Sequence, residues 1–448
     1  MRYEADNQLD AVGVGIGPFN LSVAALMQPL TELRSRFFER APEFQWHPGL
    51  LLPDAMIQVS FLKDLVTLVD PTSRYSFVSF LYATRRLYRF ITAEFPRVTR
   101  VEFNQYLRWV CESLPNLNFA RPVDGISLCG SSLVVDAGRE QISTRNVILG
   151  TGLSPRIPAC ARPHMGPTVI HASRFLDHHW DTRGRRIAVI GGGQSGAEVF
   201  LHILNQDSAL PRSVVWVTRR SNFLPLDESP FTNELFVPAY SDFFFNLDPA
   251  QKAMLLAEQK LASDGISSEL LGRIYRRLYH LEFLEDNGRR YTMYPGRELV
   301  DLEKSADEWR LALQDKLTSR IETVGVDFVV LCTGAEYKRP PCLEPITHRI
   351  DWEHGGPKLR EDFSVIWDGP DTLKLFAQNA ARLSRGIADP NLSLMAWRSA
   401  KIVNSIARRT VYDSCDADRM LEWECNGGGH GDITETTGDY SNEEPAWR

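Results

Sequence analysis

Three glycines, Gly191, Gly193 and Gly196, stand in G-x-G-x-x-G spacing. They follow the apolar run Ile187-Ala188-Val189-Ile190 and precede Ala197-Glu198-Val199-Phe200-Leu201. A strand, a tight turn and a helix in that order can hold the pyrophosphate of a dinucleotide. The first glycine makes the turn, the second lets the backbone approach the phosphates, and the third lets the helix close on the strand. The unpaired N–H groups and the dipole of the helix N-terminus then face the anion, which brings Gln194 and Ser195 into the candidate site. The next apolar run, Val214–Thr218, ends in Arg219-Arg220. A fold that prefers NAD usually places an acid there for the ribose 2′-hydroxyl, whereas arginine suits a 2′-phosphate. A basic strand end can also be plain solvated surface. With the glycines upstream, the pattern predicts an NADPH site.

The same theme opens the chain. Asp10–Val14 reads as a strand, Gly13, Gly15 and Gly17 supply the turn, and a helix begins at Pro18-Phe19-Asn20. Pro18 stands where the third fingerprint glycine is expected, a mild departure because proline is tolerated in the first turn of a helix. The following strand, Arg36-Phe37-Phe38, ends in Glu39. An acid at that point suits a ribose without a 2′-phosphate, as in FAD, although a solvent-facing glutamate is the plainer alternative. One fingerprint ending in an acid and a second ending in two arginines describe a flavoprotein fed by NADPH.

These sites need elements to carry them. The fold class expected is α/β, with two Rossmann-like dinucleotide-binding domains, for FAD and NADPH, and a small, mostly helical substrate-binding insertion. Residues 1–165 and 341–425 are assigned to the FAD domain and 166–340 to the NADPH domain. Strands running into Thr151-Gly152 and Thr333-Gly334 mark where the chain would leave the first domain and return. Residues 75–118 carry helical apolar spacing, and 118–150 alternate as strands. The stretch 222–285, with Tyr240, Phe243, Phe244 and Phe245, reads as a substrate lid, since a structureless loop of that length is uncommon. Gly386–Ala400 reads as a Pro-initiated helix over the FAD domain. Lys63 and Asp64, taken alone, read as a surface ion pair on a helix. From Asn426 to Arg448 the composition turns polar and acidic, and a disordered tail is expected.

Composition narrows the choice. At 448 residues and 43 % hydrophobic content the chain has ample core for two or three domains. A net charge of −7 provides no basic surface for nucleic acid. No apolar run approaches a membrane span, and the acidic N-terminus lacks a signal h-region. The seven cysteines include no C-x-x-C pair, so reduced thiols in a cytoplasmic protein are expected and a disulfide reductase is disfavoured. The ten histidines show no metal-ligand spacing. No metal is expected, and His47 and His171 read as structural rather than as metal ligands.

The segments Gly13–Leu21, Trp46–Gly49, Gln58–Leu65, Gly191–Ala197, Pro230–Phe236 and Leu392–Ala400 together resemble the microbial N-hydroxylating monooxygenases that act on L-lysine, L-ornithine or aliphatic diamines in siderophore biosynthesis. The likeness is greatest to the lysine 6-hydroxylase branch and the related diamine (putrescine and cadaverine) hydroxylases. Ser263-Asp264-Gly265-Ile266 stands where the ornithine branch has an Asn-Tyr-Ser segment, which argues against L-ornithine. The resemblance implies that Gln58 lies against the flavin, that Lys63 meets the substrate head group, and that Asn233 bridges nicotinamide ribose and substrate. It places Ser393 near flavin and amine, and Trp46, His47 and Leu392 among the cofactor contacts. The small-molecule amine and O2 would be its partners, and a homo-tetramer its assembly.

The implied reaction is reduction of FAD by NADPH, capture of O2 as a C4a-hydroperoxyflavin, and oxygen transfer to a terminal primary amine. The attacking nitrogen has to be neutral, so the site has to desolvate it or accept its proton. Lys63 suits a substrate carboxylate, which lysine has and a diamine lacks. A flavin monooxygenase of another substrate class, oxidising sulfides or ketones, is the alternative.

Overall fold

The computed structural model describes residues 8–95, 97–178, 180–206, 209–285, 288–353, 355–413 and 420–423. The expected disordered tail from Asn426 lies outside them. The chain opens with β1 (Leu9–Val14), α1 (Pro18–Met27) and β2 (Ser35–Phe38). Three helices follow, α2 (Phe77–Ala83), α3 (Leu87–Thr92) and α4 (Arg100–Ser113), and then β3 (Leu117–Asn118), β4 (Gly125–Cys129), β5 (Ser132–Ala137) and β6 (Glu140–Leu149). After β7 (Ser154–Pro155) come β8 (Val169–His171), β9 (Arg186–Ile190), α5 (Gln194–Leu204) and β10 (Ser213–Val217). Five helices fill the insertion: α6 (Pro230–Asn233), α7 (Pro238–Asn246), α8 (Pro249–Glu258), α9 (Lys260–Asp264) and α10 (Ser268–Tyr279). The chain returns through β11 (Tyr291–Tyr294), a meander of β12 (Arg297–Ser305), β13 (Glu308–Asp315) and β14 (Ile321–Val326), and β15 (Phe328–Leu331). It ends with β16 (Ala335–Glu336), β17 (Trp352–Glu353), β18 (Gly356–Pro357), β19 (Lys374–Ala377), α11 (Arg382–Arg385) and α12 (Met395–Ala407).

The two largest sheets are separate, and each is built on a strand that runs into a glycine turn. The first has the order β3-β2-β1-β6-β5-β4, with β19 also paired to β6. The second has the order β11-β10-β9-β15-β8 and is parallel throughout. The sequence supports this: Ile187–Ile190 and Val214–Val217 are buried without alternation, as strands covered on both faces require. Helix α5 packs on that sheet through Val199, Phe200 and Ile203, and Phe200 stacks on Trp216 with ring centroids 4.6 Å apart. In the first sheet, α4 buries the helically spaced Phe103, Tyr106, Leu107 and Val110, and Thr99 caps its first turn.

The passages between the sheets form a short antiparallel ribbon of β7 and β16. Gly152 and Gly334, at φ +73° and +81°, supply the left-handed turns beside it.

Two local expectations are corrected. Residues 56–66 form turns and no helix. Asp64 is buried there and accepts from the N–H groups of Val66 (2.9 Å), Thr67 (2.7 Å) and Phe77 (2.6 Å), so it is a fastening point for the loop and not the ion partner of Lys63. The helix after Pro390 does not begin on that proline. Asn391 caps a short 3-10 turn at Leu392–Leu394, and α12 follows from Met395.

Candidate functional site

The two glycine turns share a design. At the first, a Cβ on Gly13 would come within 2.0 Å of the Phe37 ring. Gly15 has φ +87°, and its Cβ would lie 2.5 Å from the Gly150 carbonyl oxygen. Both are glycines for internal reasons. The space beside Gly17, the N-cap of α1, is open, and no side chain caps that helix. The buried Asn20 fixes the turn: its Nδ2 donates to the carbonyls of Val14 (3.2 Å), Gly15 (2.8 Å) and Ile148 (3.2 Å), and its Oδ1 accepts from Gln378 (2.6 Å). Asn20 was not among the sequence candidates, although a polar residue in an otherwise apolar helix start is the signal for it. Glu39 accepts the N–H of Ile16 and of Ala41, each at 2.9 Å. A carboxylate oxygen has a second lone pair, which leaves Glu39 free to receive a sugar hydroxyl.

At the second turn Gly191 has φ +140°, and its Cβ would fall 2.0 Å from the Cys332 carbonyl oxygen. A Cβ on Gly196 would lie 2.1 Å from the Gly191 carbonyl oxygen, so helix and turn touch there. Gly193 is open, with only Asp264 O near its Cβ at 3.7 Å, and α5 starts from it without a side-chain cap. Helices α2, α4 and α8, by contrast, are capped by Ser76, Thr99 and Asp248. The two helices behind the glycine turns thus present bare N–H groups, as anion sites need.

Gln194 has committed its side chain, donating to Glu198 and accepting from the Ser267 N–H, both at 2.9 Å. Its backbone alone faces the turn, while the Ser195 hydroxyl has no partner among the described residues. The two arginines differ as well. Arg220 braces the turn, donating to the carbonyls of Asp264 (2.8 Å) and Gly192 (3.3 Å), whereas Arg219 is exposed and unpaired among the described residues. Asp264 also lies 3.7 Å from Arg382 of α11, so Ser263–Ile266 runs between the second turn and the segment leading to Ser393.

The remaining candidates come from distant parts of the chain. Lys63 Nζ donates to the hydroxyl of Ser393 at 3.1 Å, across 330 positions of sequence. Ser393 is buried, held by its N–H to Asn391 Oδ1 at 2.8 Å, with Leu392 half-buried beside it. No carboxylate pairs with Lys63 among the described residues, and burial lowers the pKa of its ammonium. Nearby in sequence, Gln58 has its Nε2 buried with no hydrogen-bond partner. That orphan donor and the open glycines fit a flavin and two pyrophosphates. Trp46 packs against His47 and Phe103, at centroid distances of 5.0 and 5.4 Å. His47 is reached by solvent, and protein also packs closely about its ring. Loss of water around the ring and then the Arg100 charge lower its pKa to about 4. Asn233 is exposed at the end of α6, which Ser229 caps, and its side chain bonds to no other described residue. Among the described residues no group of three or more His, Cys, Asp or Glu could hold a metal ion, and no helix is long and apolar enough to cross a membrane.

The chain is similar to known proteins in sequence and in fold. A family model described as L-lysine 6-monooxygenase/L-ornithine 5-monooxygenase matches residues 7–338. The L-lysine N6-monooxygenase of Escherichia coli is 40 % identical over 418 residues, covering 93 % of this chain and 98 % of that one. Among solved structures, the FAD-bound cadaverine monooxygenase of the desferrioxamine pathway of Erwinia amylovora superposes with a TM-score of 0.89 at 31 % identity, covering 94 % of this chain and all of that one. The ornithine N-hydroxylase of Kutzneria sp. 744, solved with reduced FAD, NADP+ and L-ornithine, has a TM-score of 0.84 at 31 % identity, covering 90 % of this chain and 99 % of that one.

Proposed function

Since the chain belongs to the L-lysine 6-monooxygenase/L-ornithine 5-monooxygenase family, we propose that it is an FAD- and NADPH-dependent monooxygenase that N-hydroxylates the terminal amine of L-lysine for siderophore biosynthesis. The amine, O2, NADPH and a proton become the hydroxylamine, NADP+ and water. Bound FAD supplies the oxygen chemistry and NADPH its two electrons. The observation that carries the choice of lysine is Lys63, a half-buried ammonium held by Ser393 with no acid paired to it among the described residues. A substrate carboxylate completes that site, and a diamine would set a second cation against it. Escherichia coli's lysine enzyme, at 40 % identity, points the same way.

In this reading residues 1–165 and 341–425 carry FAD, 166–340 carry NADPH, and the insertion at 222–285 covers the substrate. Glu39 takes the FAD ribose. Gly13, Gly15, Gly17 and Pro18 frame its pyrophosphate, and Trp46, His47, Gln58 and Leu392 line the flavin. Gly191, Gly193, Gln194, Ser195 and Gly196 receive the nicotinamide dinucleotide, with Arg219 on the 2′-phosphate and Arg220 supporting the turn. Asn233 can donate and accept, and so joins nicotinamide ribose to substrate. The reacting amine has an ordinary pKa near 10.4, and a site that strips its water favours the neutral, nucleophilic form. Exclusion of water by the insertion serves this and protects the activated oxygen.

The reading includes a cytoplasmic location and a homo-oligomer, a tetramer by analogy. Tyr82, Tyr88 and Ile91 on α2 and α3 are exposed apolar side chains that an oligomer contact could use. Sedimentation velocity reads the assembly directly. Hydroxylamine formation with FAD and NADPH, compared for L-lysine, cadaverine, putrescine and L-ornithine, tests the function. L-Lysine gives the highest kcat/KM. Product from cadaverine alone would move the chain to the diamine branch, and NADPH oxidation without hydroxylamine from any amine would favour a sulfide or ketone oxygenase.

A further inference from the structure

The seam between the two sheets contains a buried ionic contact that the reaction does not itself require. Residues 48–55 leave the first sheet's side and bury Leu50, Leu52 and Ala55 in the core around Ile170, Phe175 and Leu201. Gly49 lies so close that a Cβ would sit 2.2 Å from the Ser173 carbonyl oxygen. Behind this loop stands Arg100, the first residue of α4. Its N–H donates to the Ala55 carbonyl at 2.8 Å, and Nη1 reaches the Leu50 carbonyl at 3.4 Å. The same guanidinium donates to both oxygens of Glu198 in α5, at 2.7 and 2.9 Å. Only 13 % and 5 % of the two side chains is exposed.

From Glu198 the contacts continue. Gln194, one turn earlier, donates to Glu198, and its oxygen accepts the N–H of Ser267 at the head of α10. One connected set of hydrogen bonds therefore joins three parts: the loop between Trp46-His47 and Gln58, the first turn of the helix behind Gly193, and the insertion. A buried ion pair is a poor means of gaining stability, because desolvation offsets much of the attraction. A bidentate guanidinium–carboxylate pair does define direction and distance tightly.

We propose that Arg100, Glu198 and Gln194 are positioning residues that set the nicotinamide-nucleotide turn against the flavin-side loop, so that hydride transfer occurs at reacting distance. This rests on the function proposed above. The residues act through the turn and not on the reacting atoms.

The test uses the full chain and two variants, Glu198→Gln, which removes the charge and keeps the shape, and Arg100→Lys, which keeps the charge and loses the fork. Flavin fluorescence titration gives the FAD affinity. Small-angle X-ray scattering of the cofactor-free protein gives the radius of gyration. Anaerobic stopped-flow mixing gives the limiting rate of flavin reduction at saturating NADPH, with dithionite as control. The expected result is unchanged FAD affinity and dithionite reduction, a larger radius of gyration, and a limiting NADPH rate lowered roughly 10- to 100-fold, the effect of ångström-scale misplacement. Arg100→Lys falls between Glu198→Gln and the parent. A lowered melting temperature with an unchanged radius and an unchanged reduction rate per bound flavin would reduce the pair to ordinary stabilisation and overturn the proposal. Should Glu198→Gln fail to fold, the same comparison on Arg100→Lys decides. Failure of NADPH to reduce the parent enzyme would instead overturn the proposed function, and the scattering comparison would still decide whether the pair sets the arrangement of the two sheets.

Discussion

At the scale of single residues, Lys63 is a half-buried cation whose proposed role is set against stability. A cation removed from water without an anion is costly, and its depressed pKa records the same imbalance. Lys63→Met is expected to raise the KM for L-lysine roughly 10- to 100-fold, the worth of one charge-assisted hydrogen bond, and to lower the KM for cadaverine, whose second cation no longer meets a like charge. Its melting temperature should be no lower than the parent's, because an apolar side chain suits the half-buried position better; a large drop would mean that the ammonium is structural. The pH dependence has a definite sign. In the proposed role Lys63 anchors a carboxylate only while protonated, and burial lowers its pKa from 10.5. So kcat/KM for L-lysine should acquire an alkaline loss centred below pH 10.5 that Lys63→Arg abolishes, since arginine stays charged. Arg219, exposed and unpaired among the described residues, gives a cleaner case. Arg219→Ala should raise the KM for NADPH about tenfold and leave NADH unaffected, because only the 2′-phosphate distinguishes the two. Steady-state kinetics with both nucleotides reads this directly.

At the scale of elements, the glycine turns were legible in the spacing of their own residues and the contact between Lys63 and Ser393 was not, for a physical reason. A turn from strand to helix is local, and its needs are written in adjacent residues: Gly191 has to reach φ +140°, and Gly196 has to let α5 approach the turn. Two substitutions separate local fold from ligand room. Gly191→Ala should prevent stable folding, because a Cβ there meets the Cys332 carbonyl in a backbone region that L-residues avoid. Gly193→Ala has space, so it should keep the parent's melting temperature and FAD affinity yet lose NADPH affinity at least about tenfold, since the backbone can no longer approach the pyrophosphate. Equal thermal losses in both would contradict the assignment. The contact between Lys63 and Ser393 is different in kind, since it joins two loops and depends on how the chain closes. Adjacency alone suggested a Lys63–Asp64 pair, but Asp64 turns inward to three backbone N–H groups. Likewise, nothing in the surrounding periodicity pairs Arg100 with Glu198, because each lies on a helix that reads as complete by itself.

At the scale of the whole molecule, the two sheets and their ribbon were foreseeable from two fingerprints and two Thr-Gly crossings, but the way the insertion is fastened was not. Helix α7 of the insertion carries Asp242, which accepts from Lys401 at 3.1 and 3.0 Å and pairs with Arg385. Arg385 is only 1 % exposed, donates to the Glu361 carbonyl at 2.6 Å, and lies over the rings of Phe245 and Phe363. Arg385 and Lys401 belong to the part of the chain that returns to the first sheet, so Asp242 fixes the insertion to that side of the molecule. Removing its charge leaves a buried guanidinium with its main anion gone, a change that costs about 3–5 kcal/mol in comparable pairs. For Asp242→Asn in a chain of 448 residues this corresponds to a melting temperature lower by roughly 3–5 °C. In the function proposed above the insertion covers the substrate, so the effect should also be kinetic. NADPH oxidation by the variant should persist at a temperature where it stays folded, while hydroxylamine formed per NADPH falls and hydrogen peroxide rises, since water and protons reach the activated oxygen. A variant that is less stable yet remains fully coupled would show that the insertion is held in place by its apolar contacts, and that the ion cluster serves folding alone.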